Sequence, residues 1–347
     1  MDIKDLLKQI IAKNASDLHL SPGLPPMLRL NGSLEKLYKE ALSAGDIEEM
    51  IRKVLPEGKE LRPGEEIDMA VEIKGIARFR VNIYFDRNGV CAALRLIPAL
   101  IRPLSELDVP EIVAGVSDMK RGLVLVTGIT GSGKSTTLAA LIDMINRKRQ
   151  DHIITIEDPI EFVYGHKRCI VNQREVGKHT RSFADALRGA LREDPDVVLV
   201  GELRDLDTIA MAMTAAETGH LVLGTLHTRG ASQTVDRIID IFPSHQQEQI
   251  RTQLAESLEM VVSQVLIPSL DGAKRHMACE IMVVTTAIRQ LIRSRKTHLI
   301  PTEIETGTHL GMQTLEKSLK DLVAAGKISQ EAALPWVHDR KLFDGAS

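Results

Sequence analysis

Residues 128–135 read GITGSGKS, which fits G-x-x-x-x-G-K-[ST], the pattern of a phosphate-binding loop. Glycines let backbone N–H groups turn inward around anionic oxygens. Lys134 supplies a cation for the β- and γ-phosphates of a nucleotide, and Ser135 a hydroxyl for Mg²⁺. The helix that follows adds its positive N-terminal end. The candidates for holding ATP are therefore Gly128, Thr130, Gly131, Ser132, Gly133, Lys134, Ser135 and Thr136. A glycine-rich connector that binds nothing is the bland alternative.

Hydrolysis asks for more: an acid to support Mg²⁺ and a group to orient or deprotonate water. VVLVGE ends in Glu202, placed after an apolar strand as a Walker B acid would be, so Ser135 and Glu202 are the metal candidates. A solvated strand-end carboxylate is the alternative for Glu202. TIEDPIEF crowds Glu157, Asp158 and Glu161 behind the apolar run HIITI. Pro159 stops that strand, so the acids project from a turn near the ligand edge of a sheet. A calcium or two-metal cage is disfavoured, because a phosphate loop already implies one Mg²⁺ held partly by phosphates. A general base with its supports and a merely polar turn both stay open, and spacing does not choose among the acids.

These residues need a scaffold. GLVLVTG before the loop is a continuous apolar run, and KSTTLAALIDMINRK after it has helical spacing. The alternation repeats through HIITI, SFADALRGALRE, VVLVGE, TIAMAMTAAETG, LVLGTLH and TVDRIIDIF. Apolar strands alternating with helices predict an α/β, doubly wound parallel sheet, which binds ligands at the carboxyl ends of its strands. HQQEQIRTQLAESLEMVVSQVL and QTLEKSLKDLVAAG are expected to close the chain as helices. Ahead of residue 98, SDLHL, PMLRLNG, IDMAVEI, ARFRVNIYF and CAALRLIP are expected as strands, with helices over MDIKDLLKQIIAK and AGDIEEMIRKVL. Pro98, Pro103 and Pro110 mark a linker. The expected division is an α+β domain over 1–98, a linker over 99–112 and the ATPase domain over 113–347.

Composition narrows the field. The 347 residues are 44% hydrophobic and 26% charged, ordinary for a globular chain. Net charge is -3; residues 1–98 hold 15 basic and 15 acidic side chains, and the remainder 29 and 32. Neither part has the basic excess of a nucleic-acid binder, and 3% aromatics leave few stacking platforms. Cys91, Cys169 and Cys279 are far apart with no CxxC pair, which gives no zinc knuckle or disulfide framework and points to a reducing compartment. No apolar run is long enough to span a bilayer, and the charged, helical N-terminus is unlike a signal peptide. A cytoplasmic protein is expected, meeting the membrane through a partner.

Together, GITGSGKS, TIEDPIEF, DPDVVLVGELRD and TGHLVLGTLHT resemble the secretion ATPase superfamily of type II secretion and type IV pili. NQREVG, ALREDPD, AAETGHL and GMQTL sharpen the resemblance to its pilus-retraction branch, over nearly the whole chain. The resemblance implies a PAS-like N-terminal domain, a RecA-like P-loop ATPase domain with C-terminal helices, and a homo-hexameric ring. It implies that Glu161 orients or deprotonates the attacking water, that Glu202 supports Mg²⁺, and that His220 and His227 sense nucleotide state. A neighbour's arginines are expected to complete such a site; Arg78 and Arg80 share one face of a strand, and the family pattern favours Arg80 and Arg95 as the fingers. The chain starts at the PAS-like domain and lacks the four-cysteine motif of the assembly ATPases, as expected of the retraction branch. That branch's AIRNLIRE motif is present as AIRQLIRS, with Gln290 and Ser294 departing from it.

The function expected is a ring ATPase motor that retracts type IV pili in twitching motility. It would sit peripherally on the inner membrane and act on a membrane-embedded platform protein. The alternatives are a nucleic-acid translocase on the same core and an accessory pilus or secretion paralogue.

Overall fold

The computed structural model describes residues 2–30, 33–56, 58–73, 76–97 and 100–337. The Pro98–Ala99 step, where the sequence puts the end of the first domain and the start of the linker, lies outside the described residues. The chain divides into two compact units, Met1–Leu100 with Pro159–Val163, and Ile101–Asp158 with Tyr164–Ser347.

In the first unit, strands β1 (Asp17–Leu20), β2 (Met27–Leu30), β3 (Ser33–Lys36), β4 (Ile67–Ile73), β5 (Ala77–Asp86) and β6 (Gly89–Ile97) form an antiparallel sheet in the order β3-β2-β1-β6-β5-β4. Helix Ile3–Ala12 starts at Asp2, whose side chain caps Lys4 N, and buries Ile3, Leu6, Leu7 and Ile10 completely. That spacing is one face of a helix. Helix Ala44–Arg52 begins with a Ser43–Asp46 capping box and buries Ile47, Met50 and Ile51. It stops short of the expected Leu55, with Pro56 close behind. Both helices share one core with Leu18, Phe79, Val81 and Leu94 of the sheet. This is an α+β unit. The short, exposed β3 was not expected; its SLEK sequence has little to mark a strand.

The second unit adds β7 (Gly122–Thr127), β8 (His152–Glu157), β9 (Ile170–Glu175), β10 (Val197–Val200), β11 (Leu221–Leu226), β12 (Leu258–Pro268) and β13 (Arg275–Val283), in the order β13-β12-β7-β11-β10-β8-β9. All neighbours run parallel except β12 and β13. Helices Lys134–Lys148, Phe183–Ala190, Leu206–Glu217 and Ala231–Asp240 occupy the connections the alternating pattern predicts. The carboxyl ends of β7, β11, β10 and β8 therefore lie along one edge.

One expected element is corrected. The run HQQEQIRTQLAESLEMVVSQVL is not a single helix: helix Gln247–Ser257 ends at Leu258, and β12 begins there. Val261 and Val262 are β-branched and pair with Leu125 and Val126 of β7, so sheet packing overrides the helical spacing.

Residues 101–112 belong to this second unit, with a 3₁₀ turn over Leu104–Glu106 and a short helix from Glu111. Asp108 anchors them, accepting from His276 Nδ1 at 2.7 Å and from Lys327 Nζ at 2.7 Å. Helix Thr286–Arg293 carries most of AIRQLIRS. Its Ile288 and Ile292 are buried, while Gln290 and Ser294 are exposed. Arg289 donates to the carbonyls of Ala255, Glu256 and Leu258 and to Glu259, so it caps the end of helix Gln247–Ser257 where β12 starts.

Candidate functional site

The loop 128–133 leaves β7 and enters helix Lys134–Lys148 with Gly133 as its N-cap. Gly128, Gly131 and Gly133 have φ of 142°, 79° and 89°, backbone that side-chain-bearing residues rarely adopt. At Gly128 space forbids a side chain as well, since a Cβ there would lie 2.3 Å from the Gln264 carbonyl oxygen. Lys134 is buried, and its Nζ donates to the carbonyls of Gly128 at 2.8 Å and Ile129 at 3.1 Å. The ammonium thus sits within the loop that would receive phosphate. Two buried hydroxyls of the same segment, Thr127 Oγ1 and Ser132 Oγ, have no hydrogen-bond partner among the described residues. Such a cradle, with a buried cation and spare hydroxyls, fits a polyphosphate. Ser135 and Thr136 are half-buried in the first helical turn.

Two strands away, Gly201 and Glu202 follow β10. Gly201 N donates to Ile156 O at 2.8 Å, Thr225 Oγ1 donates to Gly201 O at 2.5 Å, and Leu203 N to Thr225 O at 3.0 Å. These bonds tie the turn to the ends of β8 and β11. The Glu202 carboxylate meets Arg204 Nη2 at 2.6 Å and His227 Nε2 at 3.4 Å. Burial alone would push its pKa up; hydrogen bonding and charge from Arg204, with His227 beside it, outweigh that and hold the carboxyl below its usual range. Glu202 therefore stays an anion, a hard oxygen donor like the Ser135 hydroxyl. Among the described residues, no group of three or more His, Cys, Asp or Glu is clustered to hold a metal ion.

The acids after β8 divide. Glu157 is buried and accepts from Thr155 Oγ1 at 2.7 Å and Gln173 Nε2 at 3.3 Å, the setting of a structural carboxylate. Asp158 is exposed, and its charge acts on Arg204. Glu161 is half-buried in Pro159–Val163, the segment grouped with the first unit.

The two histidines are not brought together. His227 follows the carboxyl end of β11, beside Glu202. His220 precedes the amino end, so the whole six-residue strand lies between them, about 23 Å of extended chain. There its Nδ1 meets Ala215 O at 2.9 Å and Thr218 Oγ1 at 3.3 Å, and its carbonyl accepts from Gly122 N.

In the first unit, Arg80 stands directly opposite Arg95 across β5 and β6, and Arg95 opposite Asp17 across β6 and β1. Each has a carboxylate: Arg80 grips Asp68 with Nε at 3.1 Å and Nη2 at 2.5 Å, and Arg95 Nε donates to Asp17 at 2.7 Å. Burial raises the Asp17 pKa, but Ser16 and Arg95 more than offset it and leave it lowered.

Two residues at the nucleotide edge escape a reading of the sequence. Arg204 holds Glu202, and its cue is its place two residues further along ELRD. Gln264 of β12 touches the loop itself, and nothing local marks it.

Residues 1–298 match the family model described as "Type II/IV secretion system protein". The chain is 50% identical over 335 residues to the type IV pilus retraction ATPase PilT of Pseudomonas aeruginosa, spanning 96% of this chain and 97% of that one. It is 48% identical over 310 residues to a twitching motility protein of Neisseria gonorrhoeae, spanning 89% and 83%. A crystal structure of the pilus retraction motor PilT with bound ADP superposes with a TM-score of 0.90 at 45% identity, covering 98% of each chain. The phosphate loop, the strand-end acids and this match over the whole length agree: the chain belongs to the type II/IV secretion ATPase family, in the part of it that contains PilT.

Proposed function

We propose that the protein is a ring-forming, Mg²⁺-dependent ATPase that retracts type IV pili. The observation that carries this is the buried Lys134 ammonium inside a glycine loop at the carboxyl end of β7, in a chain so similar to a retraction ATPase throughout. The loop's N–H groups and Lys134 would hold the β- and γ-phosphates of ATP. Ser135 and Glu202 would hold Mg²⁺, which supplies charge neutralisation on the phosphate oxygens. Glu161 would orient or deprotonate the attacking water. His227, next to Glu202, would sense nucleotide state; His220 would do so from the other edge of the sheet, where its carbonyl accepts from Gly122 N.

Arg80 and Arg95 would serve a neighbouring subunit's nucleotide in a homo-hexamer, exchanging their carboxylate partners for phosphate. Among the described residues no helix is long and apolar enough to cross a membrane. Attachment to the inner membrane would run through a platform protein of the pilus machine. The test is ATPase activity across the assembly range of concentration, with Lys134→Ala or Arg80→Ala protein mixed into wild type. A steep rise with concentration and poisoning by both variants is expected. Activity independent of concentration, with mixtures that simply average, would mean a self-contained site.

A further inference from the structure

Strand β12 runs beside β7 and pairs Ser263 with Thr127, the last residue before the phosphate loop. The next residue, Gln264, is 1% exposed, and both ends of its side chain are bonded. Nε2 donates to the Ser132 carbonyl at 2.7 Å, and Oε1 accepts from Thr137 Oγ1 at 3.0 Å. A carbonyl can only accept, so the amide has a single satisfactory orientation. Thr137 N in turn donates to Gly133 O at 3.0 Å, which closes a small network around the loop's last turn.

Gln264 also accounts for two glycines. Its carbonyl leaves no room for a Cβ at Gly128, and a Cβ on Gly133 would stand 3.2 Å from its Nε2. Main chain and side chain of this one residue are fitted to both ends of the loop.

We propose that Gln264 is a positioning residue for nucleotide phosphate, acting through the Ser132–Gly133 peptide. In a planar trans peptide the carbonyl and the following N–H point in opposite directions. By holding the Ser132 carbonyl toward β12, Gln264 turns the Gly133 N–H away from it, into the cradle where a phosphate oxygen needs donors. The Thr137 bond fixes the amide to the helix that presents Lys134 and Ser135, so loop and helix are set by the same group. A strand outside the loop motif thereby sets the aim of the loop. This rests on the assignment of residues 128–135 as the nucleotide loop.

The experiment is titration of full-length protein with a fluorescent ADP analogue, for wild type and for Lys134→Ala, Gln264→Met, Gln264→Glu and Thr137→Val. Far-UV circular dichroism is recorded on each. Gln264→Met keeps the volume but leaves the Ser132 carbonyl unpaired, and ADP affinity should fall about tenfold with the fold intact. Thr137→Val frees only the far end of the amide and should cost less. Gln264→Glu sets a carboxylate against the carbonyl and should bind worst at neutral pH. Relative to wild type it should recover as pH falls, because a protonated carboxyl can donate to Ser132 O, while the circular dichroism spectrum of the variant stays that of the wild type across the same pH range. Met and Glu variants that bind ADP within about twofold of wild type at neutral pH would overturn the proposal. So would a Gln264→Glu deficit that does not respond to pH. Wild type that fails to bind ADP, or Lys134→Ala that binds it normally, would instead overturn the assignment of the loop.

Discussion

Arg204 Nη2 stands 2.6 Å from Glu202 Oε2, so the carboxylate at the end of β10 is held by a cation only two residues further along the chain. The same carboxylate has His227 Nε2 at 3.4 Å on its other oxygen. A Glu kept ionised and aimed by two basic neighbours is suited to support a divalent cation. Arg204 also feels the charge of Asp158, the exposed acid that follows β8.

Replacing Arg204 with Ala removes the main opposition to burial, so the Glu202 pKa should rise. The acid limb of the ATPase pH–rate profile should then move to higher pH. kcat should fall about tenfold, with ADP affinity little changed. An acid limb that stays in place would show that Glu202 does not govern it.

Arg289 joins the end of helix Gln247–Ser257 to the start of β12 by bonding three carbonyls and Glu259. Arg289→Ala should lower the thermal midpoint by about 5 °C. Arg289→Lys should restore only part of that, because an ammonium lacks the planar fork that spans several acceptors. Gln290→Asn, on the exposed side of the same helix, and Ser294→Glu, at its C-cap, should change the midpoint far less. Differential scanning calorimetry on the full chain makes the comparison.

Asp108 ties residues 101–112 to His276 and Lys327. Burial raises its pKa, but the hydrogen bonds and charges of Lys327 and His276 win and lower it below the usual carboxylate range. Its stabilisation is therefore fully present above the unfolded-state pKa and is lost as pH falls through the lower folded-state value. Asp108→Asn tolerates the positive φ of 55° at this position, removes the charge and turns one of the two acceptor oxygens into an amide N–H donor. It should cost about 1–3 kcal/mol at neutral pH, a deficit that shrinks once pH drops below about 4. Urea unfolding of both proteins across that range checks it; a deficit constant with pH would remove the charge from the explanation.

Much of the nucleotide edge is legible in the sequence because its signals are contiguous. GITGSGKS lies between an apolar run and a helix that spans Lys134–Lys148, as expected. Glu202 follows directly on its strand. β12 was not legible because apolar residues keep helical spacing across the Ser257–Leu258 junction, and periodicity does not register a change of structure at one residue. β9 is polar along most of its length, as an edge strand can be, and shows no apolar run. Gln264 reaches partners 127 and 132 positions away, which only the sheet order brings near. Its strand had to be known before its role could be seen. Of the departures from the motif, Gln290 lies on the exposed side of a helix that buries Ile288 and Ile292, and Ser294 is the exposed C-cap at its end.

The most direct measurement is steady-state ATP hydrolysis with Mg²⁺ by wild type, Lys134→Ala and Glu161→Gln, alongside nucleotide binding by the same three proteins. Wild type should hydrolyse ATP. Lys134→Ala should lose both binding and turnover, and Glu161→Gln should bind ATP normally but turn it over at least about a hundredfold more slowly. Hydrolysis that persists without Lys134, or wild-type turnover without the Glu161 carboxylate, would contradict the account.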